Sequence, residues 1–552
     1  MLSGDKAMDD KELLWKKLSK GLTEQIQAVV KDYHGEEEPY RSVFEKEYDK
    51  VIFSDYFRAL SDKTQVVPLS EQDHNHNRLT HSLEVASVGR SLGTKLYNSL
   101  IQVVGQDSAE SEDLKYIPTI IETACLLHDI GNPPFGHAGE DAIKHVFKLL
   151  FQEKDDDNFY TYKNLKLKEK QKLDFISFDG NANGFRIATR LAGKRKNIIK
   201  PDDNTVRLGS GLGLSNITLA AGLKYPFSAG GHPEKDKYGY FQSESKIFLW
   251  VSKLLPPDED NQRTSQNWHK RHPLVYLVEA ADDICNLVMD FEDAIKNGHA
   301  ETKRLTEDVL SKIFDIDNTD IFNIFSLKPR QEPPDEYTHL FLTKLGIEGK
   351  NKELKSRELI KNIIQIKDYD SNKPISQENL KAIEGIRAEV IGMLIRSVFK
   401  TFEDNLNSIL KGTLCHTDPR KTESGPKEVG LLDKYFGSLD RRYTAIEEIK
   451  KVYLVNSLYC HERKAAIEVS GYHITECLLL LFLDSVSEFR DKKSFKDCCT
   501  RTQHLLRYLG YTQDCQHEKD DYDACLKVID FYTKASDREI SMLYQKLLGY
   551  KY

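Results

Sequence analysis

Apolar residues in this chain recur at spacings of three and four, as in Leu83, Val85, Val88, Leu92 and Leu96. That is the period of an amphipathic α-helix, whose residues three and four apart share a face. Alternating β-branched runs bounded by turns are scarce, so the pattern commits the chain to an all-α fold. The 552 residues suffice for about three or four average domains or for one large helical assembly. A chain of this size can bury a sizeable core without disulfide or metal staples.

Composition narrows the possible functions. Lys and Arg number 79 against 87 Asp and Glu, a balance of −8. A general nucleic-acid coat and a polybasic membrane binder are both disfavoured, although local basic patches remain open. The longest strongly apolar run, Cys477 to Leu483, falls well short of the roughly 18 residues of a membrane span. Met1 to Asp10 is polar and acidic, unlike a signal peptide. The nine cysteines form no CxxC, and Cys498 and Cys499 are neighbours. This disfavours a disulfide scaffold or a zinc ribbon and points to small buried apolar residues. A cytoplasmic location with no membrane partner is the expectation.

Most of the His, Gly, Asn and Asp residues that punctuate rather than pack lie between Phe53 and Ala294. Within that span, Asp155 to Lys172 and Lys194 to Gly213 read as surface loops or insertions. The alternation Gly209, Gly211, Gly213 follows no strand and precedes no GK[ST], so it reads as a connection rather than a phosphate cradle. Pro329, Pro333 and Pro334 break the pattern, and helical periodicity resumes from Tyr337 to Tyr552. Its apolar stretches are Ala388 to Phe402, Val469 to Phe489 and Glu539 to Leu548. Few convergent polar groups stand out in this half, so packing and oligomer contacts are its expected role.

Four separated segments carry chemistry only together: Arg78 to Val85, His128 to Glu140, Phe178 to Arg186 and Glu279 to Asp293. His81, His128, Asp129 and Asp282, if brought together, make a mixed N/O set suited to a borderline or hard divalent ion. Four protein ligands on an ion that accepts six leave positions for water and a phosphate oxygen. Singly, each has a plainer reading, because a His-Asp pair is often a cap and a lone His is often hydrogen-bonded structure. Asp282 sits in the apolar stretch Leu274 to Val288, where an unpaired charge costs several kcal/mol. His137 and Glu140 share a face if Gly136 opens a helix, and such a pair can orient water or protonate a leaving oxygen. Arg78, one turn before His81, can reach phosphates near a metal or pair with Glu84. Gln65 and Asn181 each donate and accept, which suits base or sugar edges as well as turns. Asp282, Asn286 and Asp290 line one helical stripe.

The ordered segments, above all HDIGNPPFGHAGE from His128 to Glu140, resemble the HD-domain deoxynucleoside triphosphate triphosphohydrolases, the dGTPase family. The likeness runs from about Lys63 to Ala294, with a weaker echo near Glu468 to Tyr472 and Phe531 to Leu548. It implies a multi-helix HD-domain core, residues 46–300, with an N-terminal helical extension, 1–45, and a helical C-terminal region, 301–552, used for oligomerisation and part of the substrate or effector surface. It implies one divalent metal, Mn or Mg ahead of Fe, Co or Zn, held by His81, His128, Asp129 and Asp282. Water attack at the α-phosphorus would then release deoxynucleoside and triphosphate, with His137 and Glu140 catalytic. Substrate contacts are expected from Gln65, Arg78, Asn181, Lys224, Tyr225, Lys237, Asn286 and Asp290. Homo-oligomers, hexameric or tetrameric, and single-stranded DNA or nucleotide effectors are the partners it implies. Asn286 departs from the family's usual tyrosine, and Asp179 from its usual glutamate. Alternative readings are an HD phosphohydrolase of ribo, cyclic or modified nucleotides, and a nucleotide- or nucleic-acid-sensing scaffold suggested by the basic stretches Lys163 to Lys172 and Lys194 to Lys200.

Overall fold

Short polar side chains start the helices. Ser42, Ser54, Ser108, Asp179, Ser215, Asp520 and Ser536 each accept a hydrogen bond from a backbone N–H of the turn that follows. These bonds satisfy donors that a helix end leaves orphaned. At Ser42 and Ser536 the glutamates Glu45 and Glu539 reach back to the cap and complete a reciprocal box.

The computed structural model describes residues 10–32, 38, 40–64, 77–151, 165–192, 211–231, 236–256, 269–296, 307, 311, 316–325, 333–345, 352–365, 377–414, 430–432, 434, 462–513, 515, 518 and 520–549. Among them there is no strand, only isolated bridges such as Thr64 to Asn77 and Ser228 to Tyr240. The fold is all-α, as the periodicity requires.

The helices of the first half are α1 (Asp10–Asp32), α2 (Val43–Ile52), α3 (Asp55–Arg58), α4 (Arg78–Val104), α5 (Ala109–Leu114), α6 (Ile117–Leu127), α7 (Gly136–Phe151), α8 (Glu169–Ile176), α9 (Gly180–Arg186), α10 (Asn216–Gly222), α11 (Ser245–Val251) and α12 (Val275–Lys296). They are followed by α13 (Asn318–Phe325), α14 (Asp335–Leu345), α15 (Lys352–Gln365), α16 (Gln377–Asp404), α17 (Leu406–Leu410), α18 (Glu462–Lys492), α19 (Thr500–Tyr508), α20 (Asp521–Lys534) and α21 (Asp537–Leu547). On α4 the buried stripe is Val85, Val88, Leu92, Leu96 and Leu100, while Leu83 lies outside it, 44% exposed. Helix α6 is mostly apolar, and Ile117, Ile120, Ile121, Ala124, Cys125 and Leu126 are fully buried, the mark of a core helix.

The chain divides into two compact units, each assembled from separated segments. One comprises Met1–Gly21, Ser87–Pro118 and Tyr276–Ala465; the other comprises Leu22–Ala86, Thr119–Val275 and Ala466–Tyr552. Within the second unit, one core cluster joins Phe135, Ile143 and Phe147 to Leu478, Phe482, Val486, Leu526, Ile529 and Tyr532. Helix α7 therefore buries its apolar face against α18 and α20. In the first unit, α15 packs on both α14 and α16, Trp15 meets Phe402 with ring centroids 6.5 Å apart, and Arg387 pairs with Glu292 at 2.6 Å.

One helix, within Ala465–Lys492, is long and apolar enough to cross a membrane by length and composition. Its Leu478, Leu479, Phe482, Leu483, Val486 and Phe489 are buried in the core cluster just described. The short apolar run seen in the sequence understated this helix, of whose apolar window 33% is buried. Among the described residues Cys125, Cys285, Cys477, Cys498, Cys499, Cys515 and Cys525 form no disulfide.

Candidate active site

The site begins where α6 ends. Its last turn runs into His128, Asp129, Ile130 and Gly131, after which Pro133 and Pro134 cannot continue a helix. Phe135 (φ 62) and Gly136 (φ 55) are both left-handed, and this reversal starts α7. Glycine takes that conformation freely, whereas for phenylalanine it costs about 1–2 kcal/mol and must be held by neighbours. Two observations account for the hold. Phe135 N–H donates to Asp537 Oδ1 at 2.9 Å. The Phe135 ring also packs so closely on α18 that a Cβ on Gly471 would lie 2.5 Å from it.

His81, on the first turns of α4, and His128 face each other with ring centroids 5.2 Å apart. With Asp129 they offer ligand atoms that all lie within 4.8 Å of one another. His128 Nδ1 lies 2.7 Å from the Cys125 carbonyl. A carbonyl only accepts, so Nδ1 carries the proton and the lone pair is on Nε2, the tautomer that ligates. Asp129 Oδ2 accepts from Arg78 Nη1 at 2.6 Å, and Oδ1 accepts from the Asn132 carboxamide. Burial alone would raise the Asp129 pKa, but the Arg78 guanidinium and the two imidazoles outweigh it and hold the carboxyl well below its usual range. A permanently ionised carboxylate beside two imidazoles fits a divalent ion.

Helix α7 does begin at Gly136, and His137 Nδ1 lies 3.4 Å from Glu140 Oε2 on the shared face. Glu140 is buried, and its other oxygen accepts the Gly180 N–H at 2.9 Å. Burial opposes its ionisation, but His137, Lys237 and that N–H lower its pKa overall. The imidazole of His137 is 86% exposed. Glycines let the three segments approach: a Cβ on Gly131 would lie 2.1 Å from both Gly180 O and Gly184 N, and one on Gly180 would lie 2.4 Å from Asn132 Oδ1. Asn183 Nδ2 bonds the Gly131 carbonyl at 2.7 Å across the same contact.

The remaining expected residues divide clearly. His128, Asn181 and Lys224 line one small cavity of about 40 Å³ together with Phe185, Leu219 and Gly239. Asn181 also serves the cap, donating through N and Nδ2 to Asp179 Oδ1 at 2.7 and 2.8 Å. Lys224 Nζ stands 5.9 Å from the centroid of the Tyr225 ring, and Lys237 is exposed. Arg78 pairs with Asp129, not with the Glu84 that its spacing also allowed. Asp282 is half-buried on α12, with Asn286 Nδ2 donating to its Oδ1 at 2.7 Å, so its charge is less isolated than the apolar stretch suggested. Asp282 and Asn286 lie in the other unit from His81, His128 and Asp129. Asp290 lies on α12 with its side chain outside the described set, and Gln65 lies outside the described residues altogether.

Sequence reasoning missed the contribution of the last hundred residues. Asp537 reaches Phe135, and Lys63 Nζ donates to the carbonyls of Asn132 and Thr533, both at 2.7 Å. Burial pushes the Lys63 ammonium down to about 7 against the opposing pull of Asp537. Arg186 forks onto Asp530 with both bonds at 2.7 Å and bonds Glu244 at 2.8 Å, tying α9 to α20. The expectation of few convergent polar groups in the C-terminal half is therefore corrected. The S-x-x-E box at Ser536 announced a helix start, but nothing local announced where the Asp537 carboxylate would point.

Residues 78–178 match the HD domain family. A deoxyguanosinetriphosphate triphosphohydrolase-like protein of Synechocystis is 30% identical over 519 residues, covering 92% of this chain and 94% of its own length. A protein of the same description from Pseudomonas aeruginosa is 40% identical over 272 residues, 48% of this chain and 55% of its own. The deoxyguanosinetriphosphate triphosphohydrolase of Salmonella typhimurium is 32% identical over 274 residues, 46% of this chain and 50% of its own. The histidine–aspartate cluster, the helical fold and a match along nearly the whole of the Synechocystis protein agree, and the chain belongs to the deoxyguanosinetriphosphate triphosphohydrolase-like family of HD-domain proteins.

Proposed function

We propose that this protein hydrolyses deoxynucleoside triphosphates to deoxynucleoside and triphosphate. Water adds to the α-phosphorus, the bond from that phosphorus to the 5′-oxygen breaks, and the 5′-oxygen leaves as a hydroxyl after taking a proton. The observation that carries this reading is the His81, His128 and Asp129 cluster, with ligand atoms within 4.8 Å of one another. The names of the relatives supply the substrate class.

His81, His128 and Asp129 would hold one divalent ion, Mn or Mg by preference, and Asp282 joins them on the order of motifs alone. When bound, such an ion supplies Lewis acidity toward a phosphate oxygen and lowers the pKa of its water. The chain's own residues do the rest. Arg78 keeps Asp129 ionised. Glu140, held by the Gly180 N–H, fixes the His137 ring through Nδ1 and leaves Nε2 outward to protonate the 5′-oxygen. Lys224 and Asn181 face substrate in the cavity beside His128, with Tyr225, Lys237, Gln65, Asn286 and Asp290 as further contacts.

The test is product analysis of the pure protein with each deoxynucleoside triphosphate and Mn or Mg. Tripolyphosphate with deoxynucleoside supports the proposal; pyrophosphate or orthophosphate overturns it. A second reading, hydrolysis of ribonucleotides, is favoured by Asn286, whose carboxamide is bonded to Asp282 where the family resemblance implies a tyrosine ring. Matched ribo and deoxy substrates separate the two. A hexameric or tetrameric assembly and an effector-dependent rate are proposed on the resemblance, and light scattering and addition of nucleotides or single-stranded DNA test them.

A further inference from the structure

Two buried ionisable residues have no part in the ligand cluster or in the His137–Glu140 pair. Lys63 is 2% exposed and Asp537 1% exposed. Burying such groups is costly unless every charge is answered. Ser536 and Glu539 already complete the cap of α21, so Asp537 is not needed to start its own helix. Its bonds go elsewhere: Oδ1 to Phe135 N–H at 2.9 Å, Oδ2 to Thr64 N–H at 3.0 Å and to the Thr64 hydroxyl at 2.6 Å. Lys63 is the neighbour of Thr64 and donates to the Asn132 carbonyl at 2.7 Å.

These contacts grip the two ends of one turn. Between Asn132 and Phe135 stand Pro133 and Pro134, which have no N–H to offer. The Asn132 carbonyl and the Phe135 N–H are backbone groups by which this turn is held from outside, beside the packing of the Phe135 ring on α18. The Asn132 side chain in turn bonds Asp129 Oδ1, so the position of the turn is passed directly to the candidate ligand.

We propose that Lys63 and Asp537 are positioning residues for the metal-ligating face of Asp129: together they clamp the Asn132–Phe135 turn from a segment before α4 and from the start of α21. The inference rests on the reading of His81, His128 and Asp129 as ligands. Neither residue belongs to the His81, His128 and Asp129 cluster. Partners bonded directly to a ligand, as Asn132 is to Asp129, typically alter metal affinity or activity by about 10- to 100-fold, and the clamp acts through Asn132.

The experiment uses the full chain stripped of metal with a chelator, as wild type, Lys63→Met, Lys63→Arg, Asp537→Asn and a core control, Phe489→Leu. Phe489 packs on Phe495 and Tyr511, remote in contact from the turn. Two quantities are read: the Mn concentration giving half the maximal rise in melting temperature, and kcat and KM on a nucleotide that the wild type hydrolyses. Lys63→Met and Asp537→Asn are expected to raise the half-saturating Mn about tenfold and to lower kcat about 10- to 100-fold with KM little changed. Lys63→Arg, which keeps the donor, is expected to recover part of both losses. Phe489→Leu is expected to lower melting temperature alone. If Lys63→Met and Asp537→Asn behave like Phe489→Leu, the proposal is overturned. A wild type that binds Mn but hydrolyses no nucleotide defeats the proposed activity and leaves the Mn readout to decide the positioning role. Should Lys63→Met fail to fold, Asp537→Asn and Lys63→Arg decide it by the same two readouts. Absence of any Mn-dependent stabilisation in the wild type overturns the positioning role and the ligand reading together.

Discussion

Arg78 and Asp129 are joined by a 2.6 Å hydrogen bond between Nη1 and Oδ2, a charge-assisted contact that links the first turn of α4 to the end of α6. Removing the guanidinium leaves a mostly buried carboxylate short of its strongest partner. Hydrogen bonds to charged groups contribute about 1.5–3 kcal/mol. Arg78→Ala is therefore expected to lower kcat/KM by roughly 10- to 100-fold. Arg78→Lys is expected to recover only part of this, because a point charge replaces a fork. Equal kcat/KM in the wild type and Arg78→Ala would show that the contact is not used in turnover.

The His137–Glu140 pair predicts an ordered series. His137→Ala removes the proton carrier and is expected to cost roughly 10²- to 10⁴-fold in kcat, the usual range for general acid–base catalysis. Glu140→Gln keeps an acceptor for Gly180 N–H but weakens the hold on the ring, so its loss is expected to be smaller. Steady-state kinetics on both variants check this. A larger loss in Glu140→Gln than in His137→Ala reverses the assigned roles.

Gly131→Ala is a test of close approach. Its new methyl would stand 2.1 Å from the Gly180 oxygen and Gly184 nitrogen, both backbone atoms that cannot rotate away. Overpacking of this kind typically costs about 1–3 kcal/mol or more. The denaturant midpoint is expected to fall, with activity lost at temperatures where the wild type is folded. A midpoint equal to that of the wild type would contradict the packing described for α9.

Buried His272 predicts an acid-sensitive stability. Its Nε2 bonds Gln25 Oε1 at 3.0 Å, and its Nδ1 accepts the Leu274 N–H at 3.3 Å, which fixes a neutral ring. Burial depresses its pKa from 6.5 to about 3. The folded state thus binds fewer protons than the unfolded one between those values. The stability this supplies is present above pH 6.5 and is lost as pH falls toward 3, at up to about 1.4 kcal/mol per pH unit. Unfolding titrations between pH 7 and pH 4 are expected to show a shallower acid limb in His272→Gln; parallel limbs would count against the depressed pKa.

Asn286 predicts a change in sugar choice. Its side chain bonds Asp282 at 2.7 Å, at the position where the family resemblance implies a tyrosine. Asn286→Tyr is expected to raise the ratio of deoxy to ribo turnover, measured as kcat/KM on matched substrates. An unchanged ratio would remove this position from specificity.

Much of this arrangement is local and could be read directly from residues. The spacing of His137 and Glu140, the run from Ile117 to Leu127 and the opening of α4 at Arg78 depend on helix period and turn chemistry, and each appears in the structure. What could not be read depends on pairings across long separations. Lys63 meets Thr533 across 470 positions and Arg186 meets Asp530 across 344, and no periodicity encodes either partner. Arg78 illustrates the limit at short range. Its spacing allowed Glu84 or a phosphate, and only the turn after α6 shows that Asp129 takes the charge.

The Phe135–Asp537 bond spans 402 residues, and this has a consequence for biosynthesis. The histidines and aspartate of the cluster are synthesised well before the Asp537 carboxylate that bonds the Phe135 N–H of their turn. At about 5–20 residues per second the interval is roughly 20 to 80 s. During it the nascent chain carries His81, His128 and Asp129 without the Asp537 carboxylate, so the Asn132–Phe135 turn gains this contact only once synthesis has reached α21.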